Sequence, residues 1–148
     1  MAKKISRNTF LTDNSPSIKA FASIAGSKES EGPIGTCFDK IETDSYFGQD
    51  TWEKAESELQ KQTVGLAISK AGLKDADIDY ILSGDLINQC IGTTYGLRSL
   101  NIPFLGIYGA CSTMAEGLLL GSLLTDSGIG GNIAAATSVS YTHLRAHE

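Results

Sequence analysis

Blocks of apolar and polar positions alternate along the chain, and their spacing predicts alternating helices and strands. Between Trp52 and Lys70 apolar residues recur at helical spacing, after a cap at Asp50 or Thr51 and before a stop near Gly72. The other apolar blocks are shorter and are bounded by glycine, proline or polar turns. They predict strands at 18–24, 78–83, 104–108 and 132–137, and helices at 86–100 and from 112 to about 125.

This alternation predicts an α/β fold with a mainly parallel sheet that helices cover on both faces. The segment 10–40 is rich in glycine, serine and threonine, so it is expected to be irregular apart from the strand at 18–24. Ligands of such sheets bind at the carboxyl ends of the strands. Asp85 and Cys111 both follow predicted strands, so we expect both residues at this edge of the sheet.

Composition narrows the possible functions. The chain has 148 residues, 41% hydrophobic and 20% charged, which is typical of one soluble globular unit. Its net charge of −5 argues against a nucleic-acid partner. No apolar run reaches membrane-spanning length, and residues 1–13 lack the apolar core of a signal peptide, so cytosolic synthesis is expected. Cys37, Cys90 and Cys111 are widely spaced, which indicates reduced thiols without a disulfide or zinc site.

The junction around Cys111 is the strongest candidate site. Gly106 and Gly109 remove side chains near the turn and allow close approach of a ligand. Unpaired amides and the positive end of the following helix would stabilise a thiolate or a bound carboxylate there. Ser112 is a good cap residue and adds a hydroxyl beside the sulfur. The alternative is that Cys111 is a small buried apolar residue.

Two other patterns fail as metal sites. The aspartates at 75, 77 and 79 match a calcium-binding loop, but Tyr80 and Leu86 stand where its turn glycine and bidentate glutamate belong. His143 and His147 share helical spacing, yet Leu144 replaces the metalloprotease glutamate. No metal site and no cofactor are therefore expected.

The last ten residues, 139–148, resemble translated sequencing-adapter read-through and are interpreted as a tail outside the fold. Both histidines lie in this tail. Cys111 is then left without a histidine that could act as its base, so no catalytic residue is expected in this chain.

Several short segments occur in the order of a known family. They read EGPIG at 31–35, FDK at 38–40, SGDLINQ at 83–89, IPFL at 102–105, YGACST at 108–113 and AATS at 135–138. Over roughly residues 18 to 138, the sequence resembles the stage V sporulation protein AD family of spore-forming Firmicutes. Motifs of this length and order are more specific than a lone glycine signature.

The resemblance implies a thiolase-like fold of two α/β halves, of which residues 1–138 would form the N-terminal half. It implies binding of dipicolinic acid, or of its calcium chelate, for uptake into the developing spore through the stage V A channel system. No turnover is implied. The implied partners are the other channel proteins and a second copy, in a homodimer through the thiolase-like interface. The implied location is the forespore or spore, peripheral to the inner spore membrane.

The resemblance also implies ligand-binding residues. Cys111 would match the position of the thiolase nucleophile, reused as part of a pocket wall, with Ser112 beside it. Asp85 would match the pocket aspartate of the family, and Leu86 and Asn88 follow in the same motif. A dicarboxylate suits the amides after Cys111, whereas Asp85 would bind the calcium of a chelate or another pocket group. The alternatives are a helix cap ahead of Leu86 for Asp85 and a polar surface position for Asn88.

Two other functions stay open. The first is an interaction scaffold, which docks against like subunits or channel proteins and whose pocket is vestigial. A thiolase-type or ketoacyl-synthase-type acyltransferase would form a thioester at Cys111, with histidines and an oxyanion hole from outside these residues. An isolated half is also expected to expose an apolar patch and to self-associate.

Overall fold

The computed structural model of the protein describes residues 2–139, which fold around a three-stranded parallel sheet. Short 3₁₀ turns lie at Gly35–Cys37, Asp75–Asp77, Arg98–Leu100 and Ala110–Ser112. The helices are α1 (Ser27–Ser30), α2 (Trp52–Lys70), α3 (Ile91–Leu97) and α4 (Thr113–Asp126). The strands are β1 (Lys3–Ser6), β2 (Thr9–Leu11), β3 (Ile24–Gly26), β4 (Lys40–Glu42), β5 (Tyr80–Asp85), β6 (Phe104–Gly106) and β7 (Ile133–Ser138).

The central strand of the sheet is β5, which pairs in parallel with β6 on one side and with β7 on the other. Pairing with β7 runs from Tyr80 opposite Ile133 to Asp85 opposite Ser138, so both strands end at the same level. A separate parallel pair joins β3 to β4, and β1 and β2 form an antiparallel hairpin. The predicted α/β fold with a parallel sheet is confirmed.

Alternate residues of β5 face opposite layers of helices. Ile81 is fully buried in a core cluster with Val64 and Ile68 of α2 and Leu97 of α3. Leu82 faces α4, since a Cβ built on Gly121 would lie 3.6 Å from the Leu82 Cδ1 atom. Helices therefore cover both faces of this sheet, as the sequence predicts.

The helix predicted at Trp52–Lys70 has these bounds in the structure. Its N-terminus is capped by Thr51, whose side-chain oxygen accepts a hydrogen bond of 3.4 Å from the Lys54 amide. Asp50, the other predicted cap, instead pairs with the Lys54 ammonium group at 2.7 Å. Local sequence signals were sufficient for this helix.

Two predicted elements differ from the structure. The strand predicted at 18–24 is wrong, because only Ile24 lies in a strand, and the side chains of Ile18 and Phe21 are 71% and 73% exposed. The helix predicted at 86–100 begins only at Ile91 and ends at Leu97, followed by a 3₁₀ turn. Gln89 adopts a left-handed conformation with φ of 63°, which interrupts a helix before Ile91.

The remaining boundaries differ by a few residues. The strand predicted at 78–83 lies at Tyr80–Asp85, and the strand predicted at 104–108 ends at Gly106. The last helix and strand each begin one residue later than predicted. Residues 140–148, with both histidines, lie outside the described residues, so the interpretation of the tail remains a prediction. Within residues 2–139, no helix is long and apolar enough to cross a membrane.

An apolar groove of about 640 Å³ runs along the outer edge of β7, which pairs with no second strand in the described part of the chain. The segment 16–24, α2 and α4 form its other walls. Phe21 and Leu118 line it with side chains that are 73% and 43% exposed. This groove provides exposed apolar surface of the kind that favours association.

We expect the chain to self-associate at micromolar concentration through this groove, which sedimentation velocity will measure. Replacing Phe21 and Leu118 together by Asp should shift the chain toward monomer, because two charges would be desolvated on association. The matched control is Ile5→Asp, since Ile5 is 59% exposed on the β1 hairpin, outside the groove. A monomeric parent, or equal effects of the two replacements, would contradict this expectation.

Candidate functional site

The carboxyl ends of β5 and β6 meet at one edge of the sheet. The Ile107 amide donates a hydrogen bond of 3.0 Å to the Ser83 carbonyl, which holds the turn after β6 against β5. A Cβ built on Gly84 would lie 1.9 Å from the Ile107 carbonyl oxygen, so this close approach requires glycine. Asp85 and Cys111 therefore follow neighbouring strands at the same sheet edge, as predicted.

Asp85 is 2% exposed, and both of its carboxylate oxygens are hydrogen-bonded to protein. Oδ2 accepts from the Thr93 amide and the Thr93 hydroxyl, each at 2.8 Å, and Oδ1 accepts from the Asn88 amide at 3.0 Å. Thr93 is the third residue of α3, so Asp85 caps this helix from a distance. Asp85 therefore acts as a helix cap, which was the alternative to ligand contact, but the helix that it caps begins at Ile91 and not at Leu86.

The loop of residues 86–90 connects β5 to α3 and contains two predicted site residues, Leu86 and Asn88. Both are half-buried. A hydrogen bond of 2.7 Å from the Asp85 amide to the Gln89 carbonyl closes the loop, and the Asp85 carboxylate holds it at Asn88. Loop 86–90 is therefore held largely through Asp85.

Cys111 is exposed in the 3₁₀ turn Ala110–Ser112, so the alternative of a small buried apolar residue is wrong. Ala110, with φ of 49°, adopts the left-handed conformation that alanine rarely takes, and such strain is often found at functional sites. The exposed Ser112 hydroxyl donates to the Gly109 carbonyl at 2.7 Å and does not cap α4. The Thr113 amide donates to the Ala110 carbonyl, and the amides that follow it in the first turn of α4 have no side-chain cap.

Glu116 lies against the same turn and was missed by sequence reasoning. A Cβ built on Gly109 would lie 2.9 Å from the Glu116 Oε2 atom and 2.5 Å from the Ser112 hydroxyl oxygen. Glu116 follows Ser112 by one helical turn, and this spacing was the available signal. Its carboxylate adds negative charge beside a helix N-terminus that otherwise favours anions.

A buried polar network behind loop 86–90 was also missed. The Ser83 hydroxyl donates to Gln60 Oε1 at 3.1 Å, and Gln60 Nε2 donates to the Gly84 carbonyl at 3.0 Å and to Ser138 Oγ at 2.8 Å. The Ser138 hydroxyl then donates to Glu56 Oε1 at 2.8 Å. The available signal was that Glu56 and Gln60 continue, at a spacing of four, the buried stripe of α2.

Glu56 is the carboxyl group at the end of this network. It is 3% exposed, and its Oε2 atom has no hydrogen-bond partner among the described residues. Burial raises the pKa of Glu56 to about 7; the Ser138 hydrogen bond lowers it, and the charge of Asp85 raises it. The backbone amides of Ile87 and Leu86 favour the charged form more weakly.

Cys90 connects the two loops. Its thiol donates to the Ile107 carbonyl at 3.4 Å, and burial, followed by the charge of Asp85, raises the pKa of this thiol. A raised pKa favours the neutral thiol, which is the less nucleophilic form. Cys111, in contrast, is an exposed thiol at this edge.

Neither of two grooves found in the described residues is lined by Cys111 or Asp85. One is the apolar groove along β7, and the other, of about 680 Å³, lies between α2 and α3. Among the predicted ligand-binding residues, Cys111 and Ser112 are exposed, Leu86 and Asn88 are half-buried and Asp85 is buried.

Comparison with known proteins identifies related sequences. A family model described as Stage V sporulation protein AD matches residues 6–147. The Stage V sporulation protein AD of Bacillus subtilis (strain 168) is 38% identical over 136 residues. This match covers 92% of the chain, which spans 40% of the length of that relative.

Replacing Glu56 by Gln is expected to remove a pH dependence of stability. The pKa of a glutamate side chain is ordinarily 4.5, and that of Glu56 in the fold is about 7. Between these pH values the folded chain therefore retains a proton that the unfolded chain has lost. The free energy of unfolding should therefore fall by roughly 3 kcal/mol as pH rises through this window, and should then stay level.

Urea unfolding at pH 4.5, 6 and 8 will measure this change. The control is Glu53→Gln, which removes an equal charge from an exposed position of α2. This variant should lose as much unfolding free energy between pH 4.5 and 8 as the parent chain does. An equal loss in the Glu56→Gln chain would assign the pH dependence to another group.

Proposed function

The chain belongs to the Stage V sporulation protein AD family, and we propose that it binds dipicolinic acid, or its calcium chelate, for uptake into the developing spore. The observation that supports this most directly is the Cys111 turn, which leaves the amides after Thr113 in the first turn of α4 without a side-chain cap at the carboxyl edge of the sheet. Backbone amides at a helix N-terminus are suitable donors to a carboxylate.

Binding without turnover agrees with the residues near Cys111. A cysteine nucleophile relies on a neighbouring base, and residues 2–139 contain no histidine. Cys111 then acts as part of the ligand-binding wall, with Ser112 beside it and with Leu86 and Asn88 in the adjacent loop. Asp85 supports this wall from behind, because its oxygens are engaged by Thr93 and the Asn88 amide.

Glu116 favours the calcium chelate over the bare dianion. Its carboxylate lies at the Gly109 turn, where it repels a second negative charge. Calcium bound to dipicolinate offsets the negative charge of the ligand and accepts further carboxylate oxygens. Glu116, not Asp85, is thus the carboxylate placed to meet the calcium of the arriving chelate.

The remaining parts of the proposal concern the whole protein. They are a thiolase-like arrangement of two halves, a homodimer, contacts with the other stage V A channel proteins and a location at the inner membrane of the spore. Each rests on the sequence resemblance, and the chain spans 40% of the length of the relative that it matches.

An interaction scaffold is the second candidate. The apolar groove along β7 favours it, because exposed apolar side chains such as Phe21 and Leu118 mark a surface that another chain covers. In that case the Cys111 turn would be a vestigial pocket.

Calorimetric titration of dipicolinate, with and without equimolar calcium, into the chain will test the proposal. Cys111→Ala should weaken binding of both ligand forms, whereas the exposed Cys37→Ala control should leave them unchanged. Glu116→Gln should strengthen binding of the bare dianion by about two- to fivefold, because a like charge is removed, and should weaken binding of the chelate.

No binding heat up to millimolar ligand in the parent chain would favour the scaffold. Equal effects of Cys111→Ala and Cys37→Ala would remove Cys111 from the site. Equal affinity for both ligand forms in the parent and in Glu116→Gln would exclude a contact between Glu116 and the calcium.

A further inference from the structure

We propose that Glu56 is a positioning residue whose proton sets the conformation of loop 86–90, and that ligand binding at this loop is thereby coupled to pH. The coupling to ligand depends on the function proposed above, whereas the effect on the loop does not. Glu56 belongs to none of the sequence motifs that carry the family resemblance.

The two oxygens of Glu56 have different surroundings. Oε1 accepts from the Ser138 hydroxyl at 2.8 Å, while Oε2 is buried without a hydrogen-bond partner among residues 2–139. Leu86 and Ile87, whose backbone amides favour the charged form of Glu56, are the first two residues of the loop. Glu56 therefore acts on the start of loop 86–90.

The network engages one oxygen of Glu56. Gln60 Nε2 donates to Ser138 Oγ, and the Ser138 hydroxyl donates to the Oε1 atom of the charged carboxylate. A serine oxygen accepts two hydrogen bonds, so in the neutral acid the Oε1 hydroxyl can instead donate to Ser138. Loss of the proton leaves a negative charge on a carboxylate whose Oε2 atom has no hydrogen-bond partner among residues 2–139.

Ionisation then acts on the loop in two ways. The charged carboxylate attracts the amides of Leu86 and Ile87, since hydrogen bonds to a carboxylate are stronger than those to a neutral acid. The same charge repels Asp85, whose carboxylate holds the Asn88 amide and caps α3 at Thr93. The start of the loop is pulled toward Glu56 while its anchor at Asp85 is pushed away, so the two protonation states favour different loop positions.

Few charges compete with this effect. Helix α2 packs against α3, β7 and β3, and neither strand contains a titratable residue. At the α3 side the Cys90 thiol is neutral, and Tyr95 and Arg98 are exposed and stacked on each other at 5.2 Å. Asp85 of β5 is the charged group that acts on Glu56. The other charged groups of α2 around Glu56 are Glu53, Lys54, Glu58 and Lys61.

Nuclear magnetic resonance of the ¹⁵N-labelled chain between pH 5 and 8.5 tests the loop directly and requires no ligand. The amide signals of Leu86, Ile87 and Asn88 should shift with one common midpoint near pH 7, the pKa of Glu56, in the parent and in Glu53→Gln. They should not shift in Glu56→Gln. Ser138→Ala should raise the midpoint, because the lost hydroxyl stabilises the charged form.

Three results overturn the positioning role: loop amides that do not shift in the parent, the same midpoint in Glu56→Gln, or a midpoint that Ser138→Ala leaves unchanged. The last result decides the matter even if Glu56→Gln does not fold.

Dipicolinate affinity, measured by calorimetry at pH 6 and pH 8, tests the coupling. The affinity should change by about fivefold or more between these pH values in the parent and remain constant in Glu56→Gln. Any titration of the ligand itself affects both chains equally, so the difference between the two chains reports the effect of Glu56. Binding with equal pH dependence in both chains overturns the coupling alone. Absence of binding overturns the coupling together with the proposed function, whereas the amide shifts still decide the role of Glu56 in the loop.

Discussion

The arrangement of this edge of the sheet depends on the burial of β5 on both faces. Ser83 and Asp85 are 0% and 2% exposed, so water cannot satisfy their polar side chains. A buried polar group without a partner costs about 1–3 kcal/mol, and a charged group costs more. Gln60 of α2 and Thr93 of α3 provide the partners. The need to satisfy this strand therefore helps to position both helices, together with the apolar contacts around Ile81.

The same strand explains why two kinds of chemistry occur at one sheet edge. Gly84 allows the Ile107 carbonyl to approach the backbone of β5, and the turn after Ile107 carries Cys111 to the surface. The side of β5 that bears Asp85 instead faces buried groups, among which Glu56 retains a carboxyl with a pKa of about 7. The exposed surface at Cys111, where ligand binding is proposed, thus lies at the same sheet edge as a buried carboxyl group with a pKa of about 7.

Asp85 and Glu116 have structural roles that differ from those that the sequence motifs suggest. Asp85 is in the conspicuous sequence SGDLINQ, yet its oxygens are used to hold loop 86–90 and to cap α3. Glu116 is outside any motif, yet its carboxylate lies at the turn beside Cys111. Replacement of Asp85 would alter the proposed ligand-binding surface through the loop, whereas replacement of Glu116 would alter the charge of that surface.

The sequence by itself determined α2, the parallel α/β arrangement and the placement of Cys111 and Asp85, because capping, periodicity and strand length are local signals. Only the tertiary structure decided that α3 begins at Ile91, since the hydrogen bonds of Asp85 to Asn88 and Thr93 join residues that a helix from 86 would place differently. It also decided that 18–24 is not a strand, because strand formation needs a partner at a sheet edge. The state of Glu56 depends on burial against β5 and β7, distant segments whose approach excludes water and raises its pKa.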